Sequence, residues 1–194
     1  MAINSIFHYK GFTISIGSIS CDVVDPSNYD KVIEIEKINL EDSDFCKLIE
    51  IAVELNGDIK TALIIASYHT PVESFIAPHE DGLFLMLNDV LCVFDPETLE
   101  IVEQAKIDPF GTMFEVHRYK DDYILYGECE IYRVTKDLKE KWAFDARDIF
   151  VRCDTDAPAF EMKEDRICLY DFQDDYFEIN YDGKLITERL NENN

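Results

Sequence analysis

The sequence is built of short apolar runs separated by turn-forming residues. In the clearest example, the runs Leu83–Leu87 and Val90–Phe94 meet at Asn88-Asp89, and an Asp-Pro-Glu-Thr turn leads to a third run, Leu99–Ala105. Apolar runs of this length, bounded by Asn, Asp and Pro, are typical of antiparallel β-strands joined by tight turns. The stretch therefore predicts a three-stranded meander.

The same pattern recurs along the chain and predicts about five meander units. The second turn of each meander, which joins its second and third apolar runs, falls at Asp25, Asp95, Asp137 and Asp182. The gap between Asp25 and Asp95 is wide enough for one further unit. A short lead-in strand makes the last three units four-stranded. Units of roughly 40 residues have the size of propeller blades. Their approximate bounds are 1–40, 41–70, 72–110, 112–150 and 152–190.

We therefore expect a single all-β repeat domain over residues 1–194. A small propeller-like array is the predicted fold, because runs such as Leu83–Leu87 are apolar on both faces and must pack between neighbours. A β-sandwich made of the same meanders is the alternative.

The segment from Phe45 to Leu55 fits either one face of a helix or a strand, and it follows an acidic link at 41–44. We prefer a strand because Asn56–Asp58 can form a three-residue hairpin loop. That loop would place Glu54 opposite Lys60, a pair of opposite charges.

The net charge is −23, from 18 Lys and Arg against 41 Asp and Glu. Phosphate groups repel such a protein, so nucleic acid and anionic membrane are not expected partners. High acidity favours solubility or a basic protein partner.

The sequence predicts neither a transmembrane helix nor a signal peptide. It has no apolar run of transmembrane length, and its first residues lack the pattern of a signal peptide. Six cysteines without a Cys-x-x-Cys pair indicate a reducing compartment. We therefore expect a cytoplasmic protein.

No catalytic, cofactor-binding or metal-binding signature is present. The sequence lacks a nucleophile elbow, a P-loop and a Gly-x-Gly-x-x-Gly motif. His69 with His79-Glu80 could supply metal ligands, but their spacing matches no zinc or facial-triad pattern. Asp171 with Asp174-Asp175 lacks the arrangement of a calcium loop. We therefore expect a protein that is not an enzyme and binds no cofactor or metal.

Acidic residues are concentrated in two segments, 34–58 and 154–178, and both include predicted hairpin tips or linkers. Carboxylates that project there would attract a basic partner, and nearby aromatic residues could anchor it. The predicted partner-binding residues are Asp171, Phe172, Asp174, Asp175 and Tyr176 in the second segment, together with Glu128 and Glu130 outside both segments.

The C-terminal 80 residues resemble small bacterial immunity-type proteins of polymorphic toxin systems, which have propeller-like repeats. The resemblance rests on the blocks Tyr126–Tyr132, Trp142–Phe144, Asp148–Val151 and Leu169–Phe172. It implies a cytoplasmic protein that binds and blocks a toxin domain, and it implies no catalytic residues.

The predicted function is non-catalytic protein binding, as an acidic immunity-type inhibitor of a basic toxin such as a nuclease. Two alternatives stay open. One is a glycosidase-like propeller enzyme with paired carboxylates, by analogy of fold alone. The other is a scaffold module, which would expose an apolar patch.

Overall fold

A computed structural model describes residues 5–19, 24–35, 47–66, 74–152 and 155–191. Within these ranges the protein has seventeen β-strands, one short 3-10 helix at Pro26–Asn28 and no α-helix, which confirms the predicted all-β class. The acidic link at 41–44 and His69 lie outside the described residues. The chain divides after Ile107 into two compact units, here called unit 1 and unit 2.

Unit 1 contains two sheets. The strands of sheet 1 are β1 (Ser5–Tyr9), β2 (Phe12–Ile19), β3 (Lys31–Glu34), β4 (Lys47–Leu55) and β5 (Asp58–Ala66), and their spatial order is β1-β2-β4-β5-β3. The strands of sheet 2 are β6 (Ile76–His79), β7 (Gly82–Leu87), β8 (Val90–Asp95) and β9 (Glu100–Lys106), which follow one another in chain order.

Unit 2 also contains two sheets, both meanders in chain order. The strands of sheet 3 are β10 (Met113–Tyr119), β11 (Asp122–Gly127), β12 (Glu130–Thr135) and β13 (Glu140–Asp145). The strands of sheet 4 are β14 (Phe160–Met162), β15 (Arg166–Tyr170), β16 (Tyr176–Asn180) and β17 (Leu185–Arg189). Sheets 2, 3 and 4 are therefore the four-stranded, blade-like meanders that the pattern predicts.

The first two predicted meander units share one sheet, so the described residues form four sheets where the repeat pattern suggested five units. β2 pairs directly with β4, and β3 pairs with β5 as a parallel edge strand. The buried half of β5, Ala62–Ala66, needs backbone partners on both of its edges. β4 supplies one edge and β3 supplies the other.

The hairpin between β4 and β5 is confirmed, but its predicted register is wrong by one residue. The loop has two residues, Asn56 and Gly57, with φ of 55° and 89°. Two consecutive residues in the left-handed region form the tight turn that matches strand twist. Leu55 consequently pairs with Asp58, and Lys60 faces Val53 rather than Glu54.

Sheets 2, 3 and 4 each have the same type of turn, here called a corner, between their third and fourth strands. The corner residue has a positive φ in each: 56° at Leu99, 55° at Leu138 and 75° at Gly183. A shift of register accompanies every one of these corners. This is the three-to-five-residue hairpin loop whose last residue turns left-handed and forms a bulge.

The side chain that opens each of these corners accepts backbone hydrogen bonds. Asp95 Oδ1 accepts from the Glu97 N–H at 2.9 Å, and Thr135 Oγ1 accepts from the Lys139 N–H at 3.1 Å. Asn180 Oδ1 accepts from two N–H groups within its own corner. Asp, Thr and Asn favour such turns because their short side chains reach the backbone two to four residues ahead.

The central strands are buried on both faces. Every residue of β7 and β11 is buried, as are the first five of β8. A strand with one solvated face would instead alternate between buried and exposed positions. In unit 2, sheets 3 and 4 share one core cluster, which includes Ile124, Phe150, Leu169 and Phe177.

A buried ionic network joins sheets 3 and 4. Asp122 is 5% exposed and accepts hydrogen bonds from Arg133 Nε at 2.6 Å and Lys141 Nζ at 2.7 Å. Arg133 also donates to the Tyr181 carbonyl at 2.6 Å. Burial alone would raise the pKa of Asp122, but the hydrogen bonds from Lys141 and Arg133 outweigh it and lower that pKa.

We predict that Gly183→Ala destabilises the protein more than Gly57→Ala. Both glycines have a positive φ, so each alanine carries left-handed strain of about 1–2 kcal/mol. A Cβ at Gly183 would also lie 2.7 Å from the Trp142 ring, whereas nothing lies within 4 Å of one at Gly57. Urea unfolding followed by far-ultraviolet circular dichroism measures both variants. Equal losses would contradict the steric role of Gly183.

Candidate functional site

Unit 2 contains a pocket of about 280 Å³ beside the segment that follows β13. We call it the acidic pocket. Its lining is part acidic and part apolar, and it consists of Phe110, Cys129, Glu130, Asp145, Ala146, Arg147, Asp148 and Ile149.

The segment at 145–150 is fixed to sheet 3 by Phe150. The Phe150 side chain is fully buried, and its N–H donates to the carbonyl of Glu128. The hydroxyl of Tyr126 donates to the Phe150 carbonyl. Burial raises the pKa of Tyr126 to about 12, with a further contribution from Glu115, so this hydroxyl keeps its proton at neutral pH.

Glu128 and Glu130, two of the predicted partner-binding residues, position the loop on the other side of the pocket. Glu130 Oε2 accepts from the Phe110 N–H at 2.7 Å, and Glu128 Oε2 accepts from the Thr112 N–H at 3.2 Å. Gly111 lies between these two amides with φ of 98°. A Cβ there would lie 2.9 Å from Glu128 Oε2, so glycine allows the carboxylate to approach.

The loop held in this way presents Phe110 to solvent, and its side chain is 79% exposed. Phe110 is not among the predicted partner-binding residues. Its signal was the order Asp108-Pro109-Phe110-Gly111, which places a large aromatic residue inside a turn sequence. An aromatic side chain there has no strand face to bury it.

The second predicted group, on the loop from Asp171 to Asp175, is divided by the structure. Phe172 is 51% exposed, and Asp174 is exposed as well. Asp171, Asp175 and Tyr176 are buried, which leaves little of their side chains at the surface for a partner to contact.

The buried carboxylates instead shape the loop. Asp171 Oδ1 accepts from the N–H groups of Gln173 and Asp175, both at 3.0 Å. Asp175 Oδ1 accepts from the Asn191 N–H at 2.6 Å. Tyr176 donates its hydroxyl to Glu178 Oε1 at 2.6 Å, and its ring lies under Arg189. Such bonds to turn amides are the ordinary use of a buried Asp.

The loop that carries Phe172 is bonded to the segment beside the pocket. The Phe172 N–H donates to the Ile149 carbonyl at 2.8 Å, and the Gln173 side chain donates to Asp148 Oδ2 at 3.0 Å. Arg152 pairs with Asp174 at 2.8 Å. The two predicted groups therefore lie on either flank of the segment at 145–152, which contains none of the predicted site residues.

The ionisation of the pocket favours binding a cation. The side-chain hydrogen bond from Gln173 lowers the pKa of Asp148, and the Ile149 N–H adds to the effect. A glycosidase general acid needs a raised pKa, so the shift at Asp148 is opposite to that role. Burial raises the pKa of the Cys129 thiol, and Glu128 and Glu130 raise it further, which disfavours a reactive thiolate.

Unit 1 contains a second pocket, of about 410 Å³, between the turns of sheets 1 and 2. Lys10 lies in it among carboxylates that include Asp81 and Asp95. The Tyr9 hydroxyl donates to the Glu80 carbonyl at 2.8 Å and joins the two turns. The carboxylates of this pocket already face a cation of the chain itself.

Among the described residues, no group of three or more His, Cys, Asp and Glu side chains could hold a metal ion. His79, which the sequence analysis weighed as a metal ligand and set aside, is buried, and its Nδ1 accepts from the Asp81 N–H at 3.0 Å. In that same part of the chain, no helix is long and apolar enough to cross a membrane.

No protein-family model matches the sequence, and no curated protein matches it. Solved structures align at low identity. The AfRom2 CNH domain is 11% identical with a TM-score of 0.47, over 97% of this chain and 55% of that one. BamB from Moraxella catarrhalis is 11% identical with a TM-score of 0.47, over 98% and 65%. Chaetomium thermophilum Raptor is 15% identical with a TM-score of 0.49, over 83% and 16%. The chain thus spans less than two thirds of each of these three.

We predict that Asp171→Asn stabilises the protein at neutral pH. Burial raises the pKa of Asp171, and its Oδ2 is buried without a hydrogen-bond partner. A raised folded-state pKa means that this group contributes stability at low pH, which is lost as pH rises through that pKa. Asparagine keeps the acceptor for both turn amides and carries no charge.

Thermal melting of Asp171→Asn and the unmodified protein between pH 4 and pH 8 measures the effect. The difference in melting temperature should favour the variant at pH 8 and shrink toward pH 4. Asp156→Asn, at an exposed carboxylate, is the control. A disadvantage of the variant that grows from pH 4 to pH 8 would show instead that the anionic form is needed.

Proposed function

We propose that this protein is a non-catalytic protein-binding protein that docks a basic partner on the acidic pocket and its flanks. One observation carries the proposal: two solvent-exposed phenylalanines, Phe110 and Phe172, adjoin the same segment, 145–152, which borders the acidic pocket. Aromatic anchors beside charged groups are typical of interface hot spots.

Charge supports the same conclusion. The net charge of −23 attracts a basic protein over distances longer than a contact. Clustered carboxylates raise the rate of encounter and exclude acidic competitors. The hydrogen bonds to Asp148 keep it ionised at neutral pH, so it contributes to this field.

The partner that fits this surface is a basic toxin domain such as a nuclease, and the protein would act as its immunity-type inhibitor in the cytoplasm. A nuclease binds phosphate with a basic surface. Fixed carboxylates on an inhibitor can occupy that surface in place of the phosphates, because both present anionic oxygens to Lys and Arg.

A scaffold module is the second candidate, and β17 is the observation that favours it. Leu185 and Ile186 are about half exposed on this edge strand, and Leu190 follows them at 46%. The unpaired backbone groups of an edge strand can hydrogen-bond to another chain, and exposed apolar side chains can be buried in the same contact.

The test begins with capture of partners from the native host by the tagged protein. The captured protein is then purified and titrated against the unmodified protein at low and high salt. We expect Phe110→Ser and Phe172→Ser each to weaken binding by about tenfold or more, the loss typical of a hot-spot aromatic. High salt should weaken it further, because screening is stronger at 1 M than at 0.1 M.

Ile59→Ser, which changes a 64% exposed residue of unit 1, is the matched control, and Ile186→Lys tests the scaffold candidate. Binding that survives both phenylalanine variants and is lost in Ile186→Lys would transfer the function to β17. A captured protein that is acidic, or whose binding is insensitive to salt, would contradict the proposal. Unchanged melting temperatures establish that the variants are folded.

A further inference from the structure

We propose that the acidic pocket receives an arginine side chain of the partner and selects it over lysine. This inference rests on the proposed function, and it names the group that the pocket recognises.

Within the described residues of unit 2, the carboxylates that line the pocket form no salt bridge, although Arg147 belongs to the same lining. The Asp145 side chain is exposed and has no hydrogen-bond or ion-pair partner among the described residues, while its backbone pairs with Glu130 in sheet 3. Glu130 uses only Oε2 for its bonds to Phe110 and Tyr132, which leaves Oε1 as an acceptor. Asp145 and Glu130 therefore offer the pocket free carboxylate oxygens that can accept hydrogen bonds from a bound cation.

The one basic residue of the lining is engaged elsewhere. Arg147 pairs with Glu188 on β17, with 3.1 Å between Nη2 and Oε1. Its side chain is 61% exposed, so this pair holds the guanidinium at the surface. The charge of the remaining lining is negative, from Glu130, Asp145 and Asp148.

The apolar part of the lining favours guanidinium over ammonium. Phe110 offers an exposed ring, and Ala146 and Ile149 add aliphatic surface. A guanidinium is flat and weakly hydrated, so it stacks on an aromatic face while its edge bonds to carboxylates. An ammonium is strongly hydrated and gains less from the same surface.

Two of the three carboxylates, those of Glu130 and Asp148, are held in place before any ligand arrives. Glu130 Oε2 is fixed by the Phe110 N–H and by the Tyr132 hydroxyl, at 2.7 and 2.6 Å. Asp148 is fixed by the Ile149 N–H at 2.8 Å and by Gln173. A volume of about 280 Å³ suits one long side chain rather than a folded peptide segment.

The test is a nuclear magnetic resonance titration of the full chain, labelled with ¹⁵N, with N-acetyl-arginine methylamide and its lysine counterpart. The Phe110 amide is the direct reporter because it donates to Glu130. We expect saturable shifts at Phe110, Glu130 and Asp148 with the arginine probe. The lysine probe should need several-fold higher concentration.

Asp145→Asn should raise the dissociation constant of the arginine probe about tenfold, since it removes a carboxylate without changing size. Asp156→Asn, at an exposed carboxylate outside the pocket, is the matched control. Equal response to both probes, or shifts spread over many surface carboxylates, would overturn the inference.

The two proposals fail separately. If a basic protein binds through Phe110 and Phe172 while the arginine probe leaves the pocket amides unmoved, the inference falls and the proposed function stands. If the arginine probe binds in the pocket and no basic protein binds the chain, arginine recognition stands and the proposed function falls.

Discussion

Two-sided burial of the central strands is the constraint on which the rest of the structure depends. β7 and β11 expose neither face, so a single sheet cannot exist alone in water and must pack against another. The corners between the third and fourth strands of sheets 2, 3 and 4 lie at the surface, and their turn amides need hydrogen-bond acceptors. Asp95, Thr135 and Asn180 meet that need with side-chain acceptors. Packing between sheets and hydrogen bonds within the turns thus stabilise the structure together.

Local pattern was sufficient to predict most strands and the all-β class. Asn56-Gly57 and Asn88-Asp89 lie at the tight turns that their chemistry indicates, since Asn and Gly adopt positive φ readily. The parallel pairing of β3 with β5 could not be predicted, because it joins residues far apart in sequence and no turn specifies it. The hairpin register failed for a smaller reason: a two-residue and a three-residue loop are both compatible with Asn-Gly-Asp.

The candidate site was predictable in its charge but not in its geometry. The sequence predicted an acidic segment that contains Phe172, and it also predicted Glu128 and Glu130 as partner-binding residues. It could not separate exposed Asp174 from buried Asp171, because both belong to the same acidic run, and only the fold decides which carboxylate turns inward to accept amide hydrogens. Phe110 was missed because an exposed aromatic in a turn has no periodic signal. The segment at 145–152 was missed as a site because its contacts to both flanks are non-local.

The bond from the Phe110 amide to Glu130 has a consequence for the timing of entropy loss. Loop and carboxylate are ordered when the chain folds, so little conformational freedom remains to be lost at the moment of association. Such a surface would meet the proposed partner with little rearrangement of its own. The lifetime of the complex would then depend on how well the partner fits the surface. Gly111 allows the Glu128 carboxylate to approach the loop backbone closely, because it has a positive φ and no Cβ. One backbone angle in a short loop would thus influence how fast the proposed complex dissociates.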